Sequence, residues 1–184
     1  METNRSVYHR GAEDGMYLGV TMALAVLFTA ASSYYAWCFL PAIVSVVAVP
    51  IVAMRRLRAA YLEDDCESTF SMLWMQGIAG FFFGGLIMGI MSYVAMKWLH
   101  PGYIVEQAQL VVDVFSQADS EQYQSFARGV SRAIERGELP TAMDLVAELI
   151  YVAVLTGSLL SILLSIYIRA RYNSHQQPPA FNNK

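Results

Sequence analysis

Charge is scarce in this chain and is absent from three long stretches. Only 15% of the 184 residues are Asp, Glu, Lys or Arg, against about 25% in an ordinary soluble domain. No charged residue or histidine occurs in Gly15–Met54 (40 residues), Ser68–Met96 (29 residues) or Leu149–Ile168 (20 residues). Because a bilayer core about 30 Å thick needs about 20 apolar residues of helix, this distribution excludes a soluble domain and predicts an integral membrane protein.

The same scarcity argues against several kinds of site. The predicted spans contain no ionisable side chain, whereas proton-coupled transport ordinarily depends on one. The only cysteines, Cys38 and Cys66, fall on opposite faces of the membrane in the predicted topology, and neither belongs to a CxxC motif. The histidines, His9, His100 and His175, are isolated in sequence. We find no nucleophile paired with a base, no phosphate-binding loop and no nucleic-acid-binding patch, and we therefore expect no enzymatic activity, cofactor, metal or nucleic-acid partner.

The first charge-free stretch is too long for one helix, since 40 residues at 1.5 Å per residue would extend for about 60 Å. We expect the chain to reverse at residues 32–37, where serines and aromatic residues suit the membrane–water interface. Pro41 then falls in the first turn of the next helix, where its missing N–H costs least. The sequence therefore predicts four spans, near Met16–Ser33, Ala36–Met54, Trp74–Met96 and Leu149–Ile168.

The distribution of Lys and Arg predicts the orientation, because these residues accumulate on the cytoplasmic side. Four spans put both termini and the loop after Met54 on one side, which holds eight of the 12 basic residues. A cleaved signal peptide is the competing interpretation of the N-terminus, but Glu13, Asp14 and the length of the apolar stretch argue against it. The predicted parts are a cytoplasmic N-terminus (1–14), a transmembrane hairpin (15–54), a cytoplasmic loop (55–73), the third span (74–96), a periplasmic segment (97–148), the fourth span (149–168) and a disordered cytoplasmic tail (169–184).

Small residues recur at helical spacing in the predicted spans. They are Gly15 and Gly19 in the first span, Gly80, Gly84, Gly85 and Gly89 in the third, and Gly157 and Ser161 in the fourth. The four glycines of the third span form two pairs on faces about 100° apart. Close packing of small residues is a main source of helix association inside lipid. We expect these positions to pack the bundle within one chain, and association of two copies through one such face is the alternative.

The long segment before the fourth span is polar but has periodic apolar positions. The spacing of its apolar residues predicts two amphipathic helices, which we interpret as a helical hairpin on or over the outer membrane surface. Asp119 is predicted to cap the second helix and Gly137 to end it, and Thr141 then opens the helix of the fourth span.

Arg128, Arg132 and Arg136 repeat at every fourth position of the second hairpin helix. This spacing predicts a basic ridge along one face. One interpretation is contact with lipid phosphate or an anionic partner. The other is a solvated face whose last arginine suits the negative end of the helix dipole.

An acidic cluster precedes the third span and consists of Glu63, Asp64, Asp65 and Glu67. A divalent metal needs several converging oxygen ligands, which a short linear cluster does not by itself supply. We favour a second interpretation, in which acid lies at a helix N-terminus capped by Ser68 or Thr69 and faces Arg55, Arg56 and Arg58.

Several short motifs follow one another in a set order along the chain. They are Gly15-x-x-x-Gly19, Ser68-Thr69-Phe70 ahead of Gln76-Gly77, and Tyr93 through Lys97 to Pro101-Gly102-Tyr103-Ile104. With the long outer segment and the Gly/Ser-containing last span, this order resembles a family of small membrane proteins of about this length, a four-helix domain of unknown function frequent in Gram-negative bacteria. The acidic Asp64-Asp65-Cys66-Glu67 departs from the family, in which this position is more often glycine-rich. The resemblance implies a location in the inner membrane and no particular activity.

The sequence thus predicts an all-α integral membrane protein with four transmembrane helices and a periplasmic amphipathic hairpin between the third and fourth. We expect a non-enzymatic accessory or scaffold protein whose partners are the lipid bilayer and either a second copy or another membrane protein. The alternative is a small oligomeric transporter or channel with a path lined by hydroxyl groups.

Overall fold

The computed structural model describes residues 7–64, 68–118 and 120–173, which are almost entirely helical and contain no strand. The elements in chain order are α1 (Val7–Ser32), a 3₁₀ turn (Ala36–Cys38), α2 (Phe39–Glu63), α3 (Phe70–Val94), a π-helical turn (Ala95–Leu99), α4 (Tyr103–Ser116), α5 (Glu121–Arg136) and α6 (Ala142–Asn173). Four helices, α1, α2, α3 with its π turn, and α6, are long and apolar enough to cross a membrane. The predicted all-helical protein with four such helices is therefore confirmed. The predictions for Asp65, Cys66, Glu67, Asp119 and residues 1–6 and 174–184 lie outside the described residues.

Three of the long helices, α1, α2 and α6, extend beyond the charge-free stretches that predicted them, whereas α3 lies within its own stretch. The first, α1, begins at Val7 and includes the charged residues ahead of Gly15, and α2 continues to Glu63 without a break at Pro50. Charged residues such as Glu, Lys and Arg are good helix formers, so a helix continues where the apolar run stops. The absence of charge therefore marks only part of α1, α2 and α6, whereas it covers the whole of α3.

Local signals set several helix ends as predicted. The Thr69 hydroxyl accepts a hydrogen bond from the backbone N–H of Met72 at 3.4 Å and caps α3. A capping box opens α6, because the backbone N–H of Thr141 donates to Asp144 Oδ2 at 2.9 Å and that of Asp144 donates to Thr141 Oγ1 at 3.3 Å. Gly137 ends α5 in the left-handed conformation, with φ +66°.

The central helix of the bundle is α3, which packs on α1 along one side and on α6 along another. Helix α2 packs mainly on α1 and contacts α3 only sparsely. Near the end predicted to face the cytoplasm, Leu57, Tyr61, Leu73 and Ile168 form a buried cluster in which Tyr61 is fully covered. This arrangement holds α2, α3 and α6 together at one end of the bundle.

Helices α4 and α5 pack against each other, and we refer to this pair as the hairpin. The ring of Phe115 contacts those of Tyr123 and Phe126, with centroids 5.3 and 5.6 Å apart, and Ala127 is buried at 2% exposure. Among the described residues, each of these two helices packs extensively only on the other. The hairpin is therefore an arm beside the bundle rather than part of its core.

Candidate functional site

The predicted glycines of α1 lie directly against α3. A Cβ atom placed on Gly15 would stand 2.6 Å from the Cβ of Phe83 and 3.0 Å from the carbonyl oxygen of Gly80, and one on Gly19 would stand 3.2 Å from the Cα of Gly84. Real side chains do not tolerate the shortest of these distances, so the absence of a Cβ lets the two backbones approach each other. These four glycines lie at one contact within the chain.

The second pair of α3 glycines faces α6. A Cβ on Gly89 would lie 2.7 Å from Ile150 Cδ1, and one on Gly85 would lie 3.7 Å from Ile150 Cγ2. On the α6 side, Gly157 lies against the ring of Phe81. The small-residue faces of α3 are thus covered by α1 and α6 of the same chain, which leaves them no room for a second copy.

The buried serines of the bundle bond mainly to their own helices. The Ser92 hydroxyl donates to the carbonyl oxygen of Met88 at 2.8 Å, and Ser161, which lies against Gly77, donates to that of Gly157 at 2.7 Å. Both side chains are fully buried. Hydrogen bonding to the preceding turn satisfies these two hydroxyls locally, whereas the Ser165 hydroxyl is also fully buried and has no hydrogen-bond partner among the described residues.

One carboxylate of the described residues is buried within the bundle, just ahead of the first predicted span. Asp14 of α1 is 6% exposed and accepts hydrogen bonds from Arg56 Nε and Gln76 Nε2, each at 2.7 Å. Asp14 lies outside the predicted first span, but α1 begins at Val7 and carries Asp14 into contact with α2 and α3. A buried charge is costly unless it is paired and hydrogen-bonded, and Asp14 has both kinds of partner.

A second ion pair lies nearby, between Arg10 and Asp64, with Arg10 Nη1 2.5 Å from Asp64 Oδ1. The Ser68 hydroxyl also donates to Asp64. Partial burial opposes ionisation of Asp64, but the hydrogen bonds from Ser68 and Arg10 and the Arg10 charge outweigh it, so the pKa of Asp64 lies below its ordinary value. The predicted pairing of this acid with the loop arginines is wrong, since its partner comes from α1.

We refer to Asp14, Arg56, Gln76, Arg10 and Asp64 as the polar clamp. Its hydrogen bonds join α1 to α2 and α1 to α3 at the end of the bundle predicted to face the cytoplasm. The Arg56 guanidinium also lies over the ring of Tyr17, 4.3 Å from its centroid. This cation–π contact further joins α2 to α1.

A cavity of about 450 Å³ lies at the opposite end of the bundle. This volume is within the usual range for small-molecule sites, about 300–1,000 Å³. The cavity exists because α2 leans on α1 and contacts α3 only sparsely, while Ala25, Ala30 and Ala95 are too small to fill the gap. Its lining comprises Met22, Ala25, Val26, Thr29 and Ala30 of α1, Val46, Val49 and Pro50 of α2, Met88, Ser92, Ala95 and Met96 of α3 and its π turn, and His100, Tyr103 and Leu149.

His100 lies at one end of this cavity and is 8% exposed. Its ring meets those of Tyr34 and Tyr103 edge-on, with centroids 5.1 and 5.7 Å away, and the Tyr34 hydroxyl donates to the carbonyl oxygen of Leu99 at 3.1 Å. His100 Nε2 lies 3.3 Å from Glu106 Oε2. Within the part of the chain that the structure describes, His100 Nδ1 is buried and has no hydrogen-bond partner.

Sequence reasoning missed both Asp14 and His100 as residues with an unusual environment. His100 was isolated in sequence because its contacts come from Tyr34, in the turn after α1, and from Tyr103 and Glu106 of α4. The π-helical turn just before it is a feature often found at functional sites, but no sequence pattern indicated it. The only sequence signal for the burial of Asp14 was its position directly before the charge-free stretch.

The arginine ridge is exposed along α5. Arg128 Nε donates to the carbonyl oxygen of Gln124 at 3.3 Å, and Arg132 Nε donates to that of Arg128 at 3.2 Å. At helical spacing, Arg128, Arg132 and Arg136 lie opposite the apolar residues that face α4. No ion pair joins them to another described residue, so their charges face outward from the hairpin.

The described residues offer no cluster suited to a metal ion, since no three His, Cys, Asp or Glu side chains converge within residues 7–64, 68–118 and 120–173. The thiol of Cys38 is buried and free. The chemically distinct places in the molecule are therefore the polar clamp, the cavity with His100, and the outward face of the hairpin. Comparison with protein-family models, curated proteins and solved structures finds no match for the chain.

Proposed function

We propose that the protein is a non-enzymatic accessory or scaffold protein of the bacterial inner membrane and that its α4–α5 hairpin docks on a partner protein in the periplasm. The four-helix bundle anchors the hairpin, and both chain termini lie in the cytoplasm. One observation carries the proposal: the hairpin packs on itself and leaves large apolar side chains exposed outside the apolar spans.

The hairpin apolar face consists of Leu110, Val114, Tyr123 and Phe126, which are exposed by 54%, 66%, 51% and 55%. Exposed apolar residues on the bundle are expected, because they face hydrocarbon chains in the bilayer. Outside the bilayer such a face marks an interaction surface, and aromatic residues and arginine are enriched at protein interfaces. The arginine ridge lies on the opposite side of α5 and is a separate charged surface of the hairpin.

The small-residue contacts support a scaffold in a second way. Because α1 and α6 cover the glycine faces of α3, the bundle is already packed within one chain and provides a rigid base. The glycine faces are therefore not available to a partner, and the hairpin is the surface outside the apolar helices that we propose for docking.

Photocrosslinking in the native membrane tests the docking proposal. A benzophenone-bearing phenylalanine analogue placed at Phe126 should yield protein adducts after irradiation, because this ring is exposed on the hairpin apolar face. The matched control carries the same analogue at Ile90, which is 65% exposed on α3, and should yield lipid adducts. Lipid adducts alone from both positions would show that the hairpin lies on the bilayer and would contradict docking on a protein.

The orientation has its own test, in cells whose outer membrane has been permeabilised. A membrane-impermeant maleimide should label Arg132→Cys before the inner membrane is lysed and should label Arg58→Cys only after lysis, with Cys38 and Cys66 replaced by alanine. The reverse pattern would put the hairpin in the cytoplasm. The excess of basic residues at the two termini and at the end of α2 supports the proposed orientation.

A small oligomeric transporter is the second candidate function, and the cavity between α1, α2 and α3 is the observation that favours it. In that case solute flux should appear in liposomes reconstituted with the purified protein and should be absent from empty liposomes. Liposomes that show no flux for a broad panel of ions and apolar solutes would remove this candidate.

A further inference from the structure

We propose that the cavity between α1, α2 and α3 binds an amphiphile with one hydrocarbon chain and a neutral hydroxyl head, and that the head lies beside His100. This inference goes beyond the proposed scaffold function and does not rest on it, since the hairpin apolar face is a different surface.

The residues that line the cavity favour a hydrocarbon chain as the ligand. Apart from Thr29, Ser92, His100 and Tyr103, every lining residue is aliphatic or methionine, and no carboxylate, lysine or arginine is among them. A charged or strongly polar ligand would lose its hydration there without replacement. Met22, Met88 and Met96 are long, flexible and polarisable side chains that adapt to the shape of a hydrocarbon chain.

The position of the cavity gives such a chain a route from the bilayer. Val46 lines the cavity and is also 58% exposed on the outer surface of α2, so the cavity reaches the surface that faces lipid. Because α2 contacts α3 only sparsely, a chain can enter between these helices without crossing water. An amphiphile dissolved in the membrane is therefore the source that the geometry favours.

The environment of His100 favours a hydroxyl head group over a carboxylate. When a neutral imidazole carries its proton on Nε2, that N–H faces the carboxylate of Glu106, whose Oε2 lies 3.3 Å away. Nδ1 is then an acceptor, and it is buried and without a partner among the described residues. A hydroxyl head can donate to Nδ1, whereas a carboxylate head has no proton to donate and would stand near the charge of Glu106.

Photolabelling of the purified full-length protein in phosphatidylcholine nanodiscs tests the chain site. The probe is hexadecanol with a diazirine near the end of its chain, and it should label lining peptides of α1 and α3. Val46→Phe should reduce labelling by about tenfold, since overpacking the entrance costs enough for that factor. Val44→Phe is the matched control, because Val44 lies two residues away, is 67% exposed and does not line the cavity. Equal labelling of the two variants, with equal melting temperatures, would overturn the proposal.

Variants of His100 test the head. The amide oxygen of Asn reaches about as far from the backbone as Nδ1, whereas that of Gln reaches about as far as Nε2. His100→Asn should therefore label nearly as well as the wild type, and His100→Gln and His100→Phe about fivefold less, the factor for one lost hydrogen bond. Unchanged labelling of His100→Phe, or equal competition by hexadecanol and hexadecanoic acid, would overturn the assignment of the hydroxyl head. Photocrosslinking from Phe126 tests the scaffold function separately, so failure of either proposal can be told from failure of the other.

Discussion

The two ends of the helix bundle are held together by different interactions. At one end the polar clamp joins α1, α2 and α3 through short charge-assisted hydrogen bonds, and a buried aromatic and aliphatic cluster adds α6. At the other end α2 and α3 separate around a cavity lined by small side chains and methionine. Charge-assisted bonds require one geometry, whereas contacts among methionine and alanine tolerate several, so the clamp fixes the helices and the cavity end can adapt.

The largest expected effect comes from breaking the polar clamp. Arg56→Met leaves the Asp14 carboxylate buried with only Gln76 as partner, which should cost about 2 kcal/mol, less than for a fully buried pair because the Arg56 side chain is 34% exposed. The melting temperature in detergent should fall accordingly, and adding Asp14→Asn should restore part of it. Arg55→Met is the control, since Arg55 is exposed on the same helix and forms no ion pair with another described residue. Equal melting of the two single variants would contradict the comparison between the two ends.

Replacement of an alanine by leucine should destabilise the tightly packed part of the bundle and should stabilise the end that contains the cavity. Ala53 is 2% exposed and packs against Leu18 and Phe81, so Ala53→Leu overfills this contact and should destabilise the fold by about 2 kcal/mol. Ala30 lines the cavity, so Ala30→Leu fills space and should stabilise the fold by about 1 kcal/mol. Thermal unfolding of both variants measures the difference. Destabilisation by Ala30→Leu would mean that the cavity end is as tightly packed as the rest.

A smaller effect is expected from acid titration of the clamp. The pKa of Asp64 in the folded protein lies below its ordinary value, so its stabilising effect is complete above the unfolded pKa of about 3.9 and is lost as pH falls through the lower folded value. Because the Asp64 side chain is 26% exposed, we expect less than about 1 kcal/mol. Asp64→Asn should flatten the stability profile between pH 6 and pH 3. An unchanged slope would show that Asp64 does not contribute to this dependence.

The smallest effect on stability should come from the arginine ridge. Arg128, Arg132 and Arg136 are exposed and form no ion pair with any other described residue, so their joint replacement by alanine should change the free energy of unfolding by about 0.5 kcal/mol at most. The measurement that separates the two interpretations of the ridge is membrane retention and partner crosslinking of this variant in cells. Loss of either with unchanged melting would assign the ridge to binding, and no change in either would leave it as a solvated face.

Much of the fold was predictable because its signals are local. Long runs without charge predicted the four apolar helices, since a bilayer core excludes ionised side chains over a fixed thickness. The capping box at Thr141 and Asp144 and the left-handed Gly137 involve residues only a few positions apart. The spacing of the glycines also predicted two small-residue faces on α3, but it did not predict which helix packs on each face.

The polar clamp was not predictable, because its contacts join residues that are far apart along the chain. Asp14 bonds to Arg56 and to Gln76, which lie 42 and 62 positions away along the chain. Asp14 was assigned to a cytoplasmic terminus because the charge-free stretch begins just after it. Only the packing of α1 against α2 and α3 converts this end of a helix into a buried ion pair.

The sequence by itself therefore determined the number of apolar helices, their small-residue stripes and the amphipathic hairpin, because hydrophobic periodicity and helix caps depend on neighbours along the chain. Only the tertiary structure decided that Asp14 is buried, that His100 stands between two tyrosines, and that a cavity of about 450 Å³ remains beside α2. The physical reason is that burial and cavity volume depend on how side chains from distant helices fill the space between them.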